Sequence, residues 1–114
     1  MSETIFDKIL SKEIPAKVVF ENEYVLAFED IQPQAPIHVL VIPKKPVKSI
    51  AGMADWTPDE AGHYMRGIAE AAAAIGVKEA GYRVVFNTGK DGGQTVDYVH
   101  AHILAGRPLL WPPG

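Results

Sequence analysis

Asn87 to Gly106 reads NTGKDGGQTVDYVHAHILAG. Its first part, Gly89-Lys90-Asp91-Gly92-Gly93-Gln94-Thr95, is a polar, glycine-rich turn. Its second, Tyr98-Val99-His100-Ala101-His102-Ile103-Leu104, alternates as a strand does. Strand residues two apart point to one face. Tyr98, His100 and His102 therefore share a face, and Val99, Ala101 and Ile103 share the other. The apolar side suits a core. Two imidazoles beside a turn rich in backbone N–H donors suit an anion or a phosphate.

The flanking chain supplies the other layers. Gly81 to Thr88 predicts a strand with Tyr82, Val84 and Phe86 on one face and Arg83, Val85 and Asn87 on the other. Asn87 sits at the mouth of the turn, where its amide can donate to a ligand oxygen or cap the turn. Upstream, Thr57-Pro58-Asp59-Glu60 combines an N-cap, proline at the first helical position and a capping-box glutamate. Ala61, Tyr64, Met65, Ile68, Ala72 and Ile75 follow at three- and four-residue spacing. A helix over Pro58 to Ile75, stopped by Gly76, should lay that stripe on the sheet. His63 falls off the stripe and reads as a surface residue.

Ile37-His38-Val39-Leu40-Val41-Ile42 is apolar on both faces except at His38, so it predicts a central strand. Pro43-Lys44-Lys45-Pro46 ends it, and Ser49 to Ala54 suggests a short helical turn. Lys17 to Glu21 and Tyr24 to Glu29 read as a hairpin around Asn22-Glu23. Two prolines keep Asp30 to Pro36 a loop. Thr4 and Asp7 cap a short helix whose stripe is Ile5, Phe6, Ile9 and Leu10. The tail, Arg107 to Gly114, cannot end in regular structure. Its two leucines and Trp111 suggest docking on its own domain or on a partner subunit. Two helices and five strands with short links predict one α+β domain, residues 1–114, around a mostly antiparallel sheet.

Composition narrows the functions. The 114 residues include no cysteine, which removes disulfide and thiolate chemistry. Eleven basic against fourteen acidic side chains, a net charge of -3, argue against a broad nucleic-acid surface. No apolar run approaches the roughly 20 residues of a membrane span, and Met1-Ser2-Glu3-Thr4 lacks the parts of a signal peptide. The expectation is a cytoplasmic protein without nucleic-acid or membrane partners.

Three chemistries fit His-x-His on a strand. Two imidazoles can share a metal, with His38 as a third ligand and Asp97 or Asp91 as a fourth. A neutral imidazole can attack phosphorus while its neighbour handles a proton or charge. Or both histidines are simply half-exposed strand residues.

Gly92 to Arg107 resembles the signature of the histidine triad (HIT) family, His-φ-His-φ-His-φ-φ with φ apolar. Ile5 to Ile9, Lys12 to Lys17, Phe28 to Ile31, Pro33 to Lys45 and Trp111-Pro112-Pro113-Gly114 extend the likeness to the nucleotide-binding branch of that family. The resemblance implies a homodimer whose two five-stranded sheets join. It implies hydrolysis of purine nucleoside 5′-phosphoramidates, AMP–amine conjugates above all, with no metal and no cofactor. By position, His100 matches the nucleophile, His102 the phosphate- and leaving-group histidine, and His38 an orienting histidine. Asn87, Gly93 and Thr95 match phosphate-side positions. Asp30 matches the ribose-binding acid, with Ile31 beside it. Ile5, Phe6, Ile9 and Phe28 match the slot for the base. Tyr98 stands where the first histidine belongs. The expectation is an altered but active catalyst, which Tyr98→His should accelerate if the missing imidazole limits the rate.

Overall fold

Helix α1, Ile5–Leu10, forms because Thr4 and Asp7 exchange side-chain and backbone hydrogen bonds in a full capping box. The computed structural model describes residues 3–114, so Met1 and Ser2 of the N-terminal reading lie outside the described residues. Strands β1 (Val18–Glu21), β2 (Val25–Glu29), β3 (Ile37–Pro43), β4 (Arg83–Val85) and β5 (Ala101–Ala105) make one sheet in the order β1-β2-β3-β5-β4. Every neighbouring pair is antiparallel. β3 is central, as its two-sided apolarity predicts. The hairpin between β1 and β2 needs no glycine, because the Asn22 side chain accepts from the N–H groups of Tyr24 and Val25.

The sheet has two covered faces. Helix α2, Pro58–Ala74, lies on the first, capped by Thr57 and Glu60. Tyr64, Ile68, Ala71 and Ala72 meet Val25, Ala27, Val39, Val41, Val99, Ala101 and Ile103 there. Gly67 permits this approach: a Cβ on it would come within 2.5 Å of a Val25 methyl. Gly76, at φ +80°, ends the helix in a left-handed turn, with Val77 N–H reaching back to the Ala72 carbonyl. Helix α1 covers part of the second face, where Phe6, Leu26, Phe28, Leu40, Ile42 and Tyr98 cluster. The alternation of the histidine segment is thus observed: Val99, Ala101 and Ile103 face α2, and Tyr98 faces α1.

Three boundaries differ from the expectation. The ladder of β5 begins at Ala101 rather than Tyr98. Its partner β3 runs into Pro43, which has no N–H to offer, and Val99 donates instead to the Val47 carbonyl at 2.8 Å. β4 keeps only three residues of the predicted eight, because it is an edge strand paired with β5 alone. The glycine-rich turn contains a one-turn helix, α3, Gly89–Gly92, and a 3₁₀ turn covers Ile50–Asp55 after the Ser49 cap. His63 is half-buried rather than free on the surface, stacked on Tyr24 at 3.9 Å between centroids. In the tail, Leu109 accepts from Arg83 at 3.4 Å, while the Trp111 side chain stays 80% exposed.

Candidate active site

β3 and β5 place their histidines on the α1 face, and the ladder register brings them side by side. His38 opposes Leu104, and Leu40 opposes His102. The rings of His38 and His102 lie 5.2 Å apart, and those of His102 and His100 lie 4.9 Å apart. Phe6 of α1 meets the His100 ring edge-to-face at 4.9 Å.

The hydrogen bonds fix the tautomers. His100 Nδ1 lies 2.8 Å from the Tyr98 carbonyl. A carbonyl only accepts, so Nδ1 carries the proton and Nε2 keeps a free lone pair. His38 Nδ1 accepts from the Gln34 N–H at 3.0 Å, which leaves the His38 proton on Nε2. That nitrogen sits 2.9 Å from His102 Nδ1 and 3.4 Å from an Asp30 carboxylate oxygen. His102 Nδ1 therefore accepts, and its proton resides on Nε2. This buried His102 Nε2 has no hydrogen-bond partner among the described residues. The result is an ordered pair of tools: a nucleophilic nitrogen on His100 and an unused donor on His102.

Burial keeps the supporting imidazoles neutral. It lowers the His38 pKa against a smaller opposing pull from Asp30. Burial, then the neighbouring His100 and His38, brings His102 to about 4. The folded chain thus binds this proton less readily than the unfolded chain, whose histidine titrates near 6.5. Stability should fall as pH drops from about 6.5 and the loss should level off below about 4. Urea midpoints across that range check this, and His102→Gln should flatten the slope. An unchanged slope would remove His102 as its source.

The remaining expected site residues differ in burial and packing. Phe28 is buried beneath α1, in edge-to-face contact with Phe6 at 5.7 Å. Ile9 packs on the same cluster, and Ile5 is about half exposed. Ile31 is 91% exposed and packs against nothing in either core. Asn87 lies two residues past the end of β4, whose last ladder pair is Val85 with His102. Gly93, at φ +76°, and Thr95 occupy the exposed turn after α3. Tyr98 is buried, and its hydroxyl donates to the Pro43 carbonyl rather than to a histidine.

Sequence reasoning gave no role to Gln94. Its Nε2 donates to the Lys48 and Val96 carbonyls at 2.6 and 2.8 Å, and its Oε1 accepts from Gly89 N–H at 3.0 Å. It pins the turn against the chain after β3. A long amide amid glycines was the available signal. Gln34 reaches His38 through its backbone N–H, which no side-chain pattern reveals, while its side chain donates to the Gln32 carbonyl.

Asp30, His38 and His102 also bring ligand atoms within 4.8 Å of one another. Asp97 and Asp91, the fourth ligands weighed from sequence, are not in this group. A cation on His38 Nε2 would need its proton moved to Nδ1, where it would oppose the Gln34 N–H.

The sequence profile of the HIT domain matches residues 11–109. The chain belongs to the HIT family. A HIT-like protein of Synechococcus elongatus is 50% identical over the full length of both chains. A maize protein named 14 kDa zinc-binding protein is 49% identical, over 99% of this chain and 89% of its own. The crystal structure of a HIT family hydrolase from Legionella pneumophila superimposes with a TM-score of 0.91 at 46% identity, covering 98% of this HIT chain and all of the other. No helix among the described residues is long and apolar enough to cross a membrane.

Proposed function

We propose that this HIT protein is a cytoplasmic, homodimeric hydrolase of purine nucleoside 5′-phosphoramidates that needs no metal. One observation carries the reading: the Tyr98 carbonyl holds the His100 proton on Nδ1 and leaves Nε2 as a lone pair. Nε2 attacks the α-phosphorus, and the P–N bond to the amine breaks. The amine nitrogen takes up its proton from solvent as it leaves, while the neutral His102 Nε2–H donates a hydrogen bond to the departing group and keeps its own proton. Water then cleaves the new P–Nε2 bond and releases the nucleotide. His38, held by Gln34, keeps His102 in the donating tautomer. Phe6, Phe28, Ile9 and Ile5 offer an apolar wall for the base, and Asp30 an acceptor for ribose. Asn87, Gly93 and Thr95 serve the phosphate.

A second reading, a nucleotide-binding protein without turnover, draws on Tyr98, whose hydroxyl is spent on Pro43. Steady-state assays in EDTA separate the alternatives. Hydrolysis of an AMP–amine conjugate in preference to diadenosine polyphosphate is the expected result. AMP binding without turnover of either substrate would favour the silent binder. Activity that EDTA removes and Zn²⁺ restores would contradict metal independence.

A further inference from the structure

We infer that Tyr98 is a positioning residue for His100, acting as a strut between the end of β3 and the nucleophile. The inference rests on the hydrolase reading for its kinetic test but not for its spectroscopic one.

The segment 98–100 lies outside the β3–β5 ladder, whose last pair is Val41 with Ala101. Two bonds hold it there. Val99 N–H donates to the Val47 carbonyl, and the Tyr98 hydroxyl donates to the Pro43 carbonyl. Pro43 has an acceptor to offer but no donor, so this end of β3 can receive a hydroxyl and cannot extend a regular ladder. Only a long side chain with a terminal donor closes the gap from Tyr98. The phenol is held on its flank by Phe6, edge-to-face at 6.2 Å, and Phe6 also contacts His100. The carbonyl of the same Tyr98 then takes the His100 Nδ1 proton. One residue thus links Pro43 through its side chain to the His100 ring through its backbone. Burial, and to a lesser degree Asp7, raises the hydroxyl's pKa, so it remains a donor throughout the working range.

Tyr98 therefore does not stand in for an absent acid or base. The phenol hydroxyl goes to the Pro43 carbonyl and not to an imidazole, which reverses the sequence-based expectation for Tyr98→His. An imidazole is shorter, does not reach Pro43 and leaves segment 98–100 with one tie.

Two variants and two readouts test this. Tyr98→Phe keeps the packing against Phe6 and removes only the donor. It should lower kcat about tenfold or more, as small misplacements of a reacting group do, with KM for the nucleotide unchanged. Tyr98→Phe should also hasten solvent exchange of the His100 Nδ1 proton, read by ¹⁵N-edited NMR of the ring. Tyr98→His should not exceed the wild-type rate. Unchanged kcat and unchanged proton exchange in Tyr98→Phe would overturn the strut. So would a faster Tyr98→His enzyme beside a neutral Tyr98→Phe. Absence of turnover in the wild type would remove the hydrolase reading, and the exchange measurement alone would then decide the strut.

Discussion

His100→Ala should lower hydrolysis of an AMP–amine conjugate by at least about 10³-fold, as loss of a covalent nucleophile does. Nucleotide binding should persist, because the apolar wall, Asp30 and the turn at Gly93 and Thr95 are left in place. The effect is expected in kcat rather than KM. The sequence places His100 on a cleft wall, but the folded residue is only 5% exposed and lies against Phe6. Some loss of stability should therefore accompany the substitution, and the assay needs a parallel check of folding by circular dichroism. A folded His100→Ala protein with wild-type turnover would show that another group attacks phosphorus.

Tyr64→Ala should cost roughly 3–5 kcal/mol of stability, the range for removing a buried aromatic ring. Tyr64 is 1% exposed at the centre of the α2 interface. Its ring meets Trp56 and Phe86 edge-to-face at 6.4 and 6.0 Å, and its hydroxyl donates to the Val41 carbonyl at 2.7 Å. That loss is a large share of the roughly 5–15 kcal/mol that holds a domain folded. It should lower the melting midpoint by roughly 15 °C or more. Tyr64→Phe, which loses only the hydrogen bond, should cost about 1 kcal/mol. Denaturant titrations of both variants check this, and a cost below about 1 kcal/mol for Tyr64→Ala would contradict the packing described.

The architecture was legible where local rules and burial agree. The caps at Thr4 and Thr57 name their helices, and the left-handed Gly76 ends the longer one. The two-sided apolarity of Ile37 to Ile42 marks the middle of the sheet. The alternation from Tyr98 to Ile103 assigns both faces correctly even though regular pairing starts later. That late start was hidden because strand length depends on the partner, and Pro43 lies 55 residues upstream of Tyr98. β4 was overestimated for the same reason: an edge strand is limited by its only neighbour.

The site was legible as residue types and not as bonds. His38, His100 and His102 stand together, with Asp30 beside them. Which nitrogen carries each proton follows from the Tyr98 carbonyl and the Gln34 N–H, backbone groups that a pattern of side chains does not reveal. The destination of the Tyr98 hydroxyl and the three ties of Gln94 likewise depend on loops brought close only by folding. Ile31, placed beside the ribose position by resemblance, is almost fully exposed.

The most direct measurement is rapid acid-free quenching of the wild-type protein during turnover of an adenosine 5′-phosphoramidate, followed by mass mapping of the nucleotidyl adduct. The account predicts an adenylyl group on His100, formed in EDTA and absent from His100→Ala. Turnover with the adduct on another residue, or with none formed under conditions where breakdown limits the rate, would contradict it.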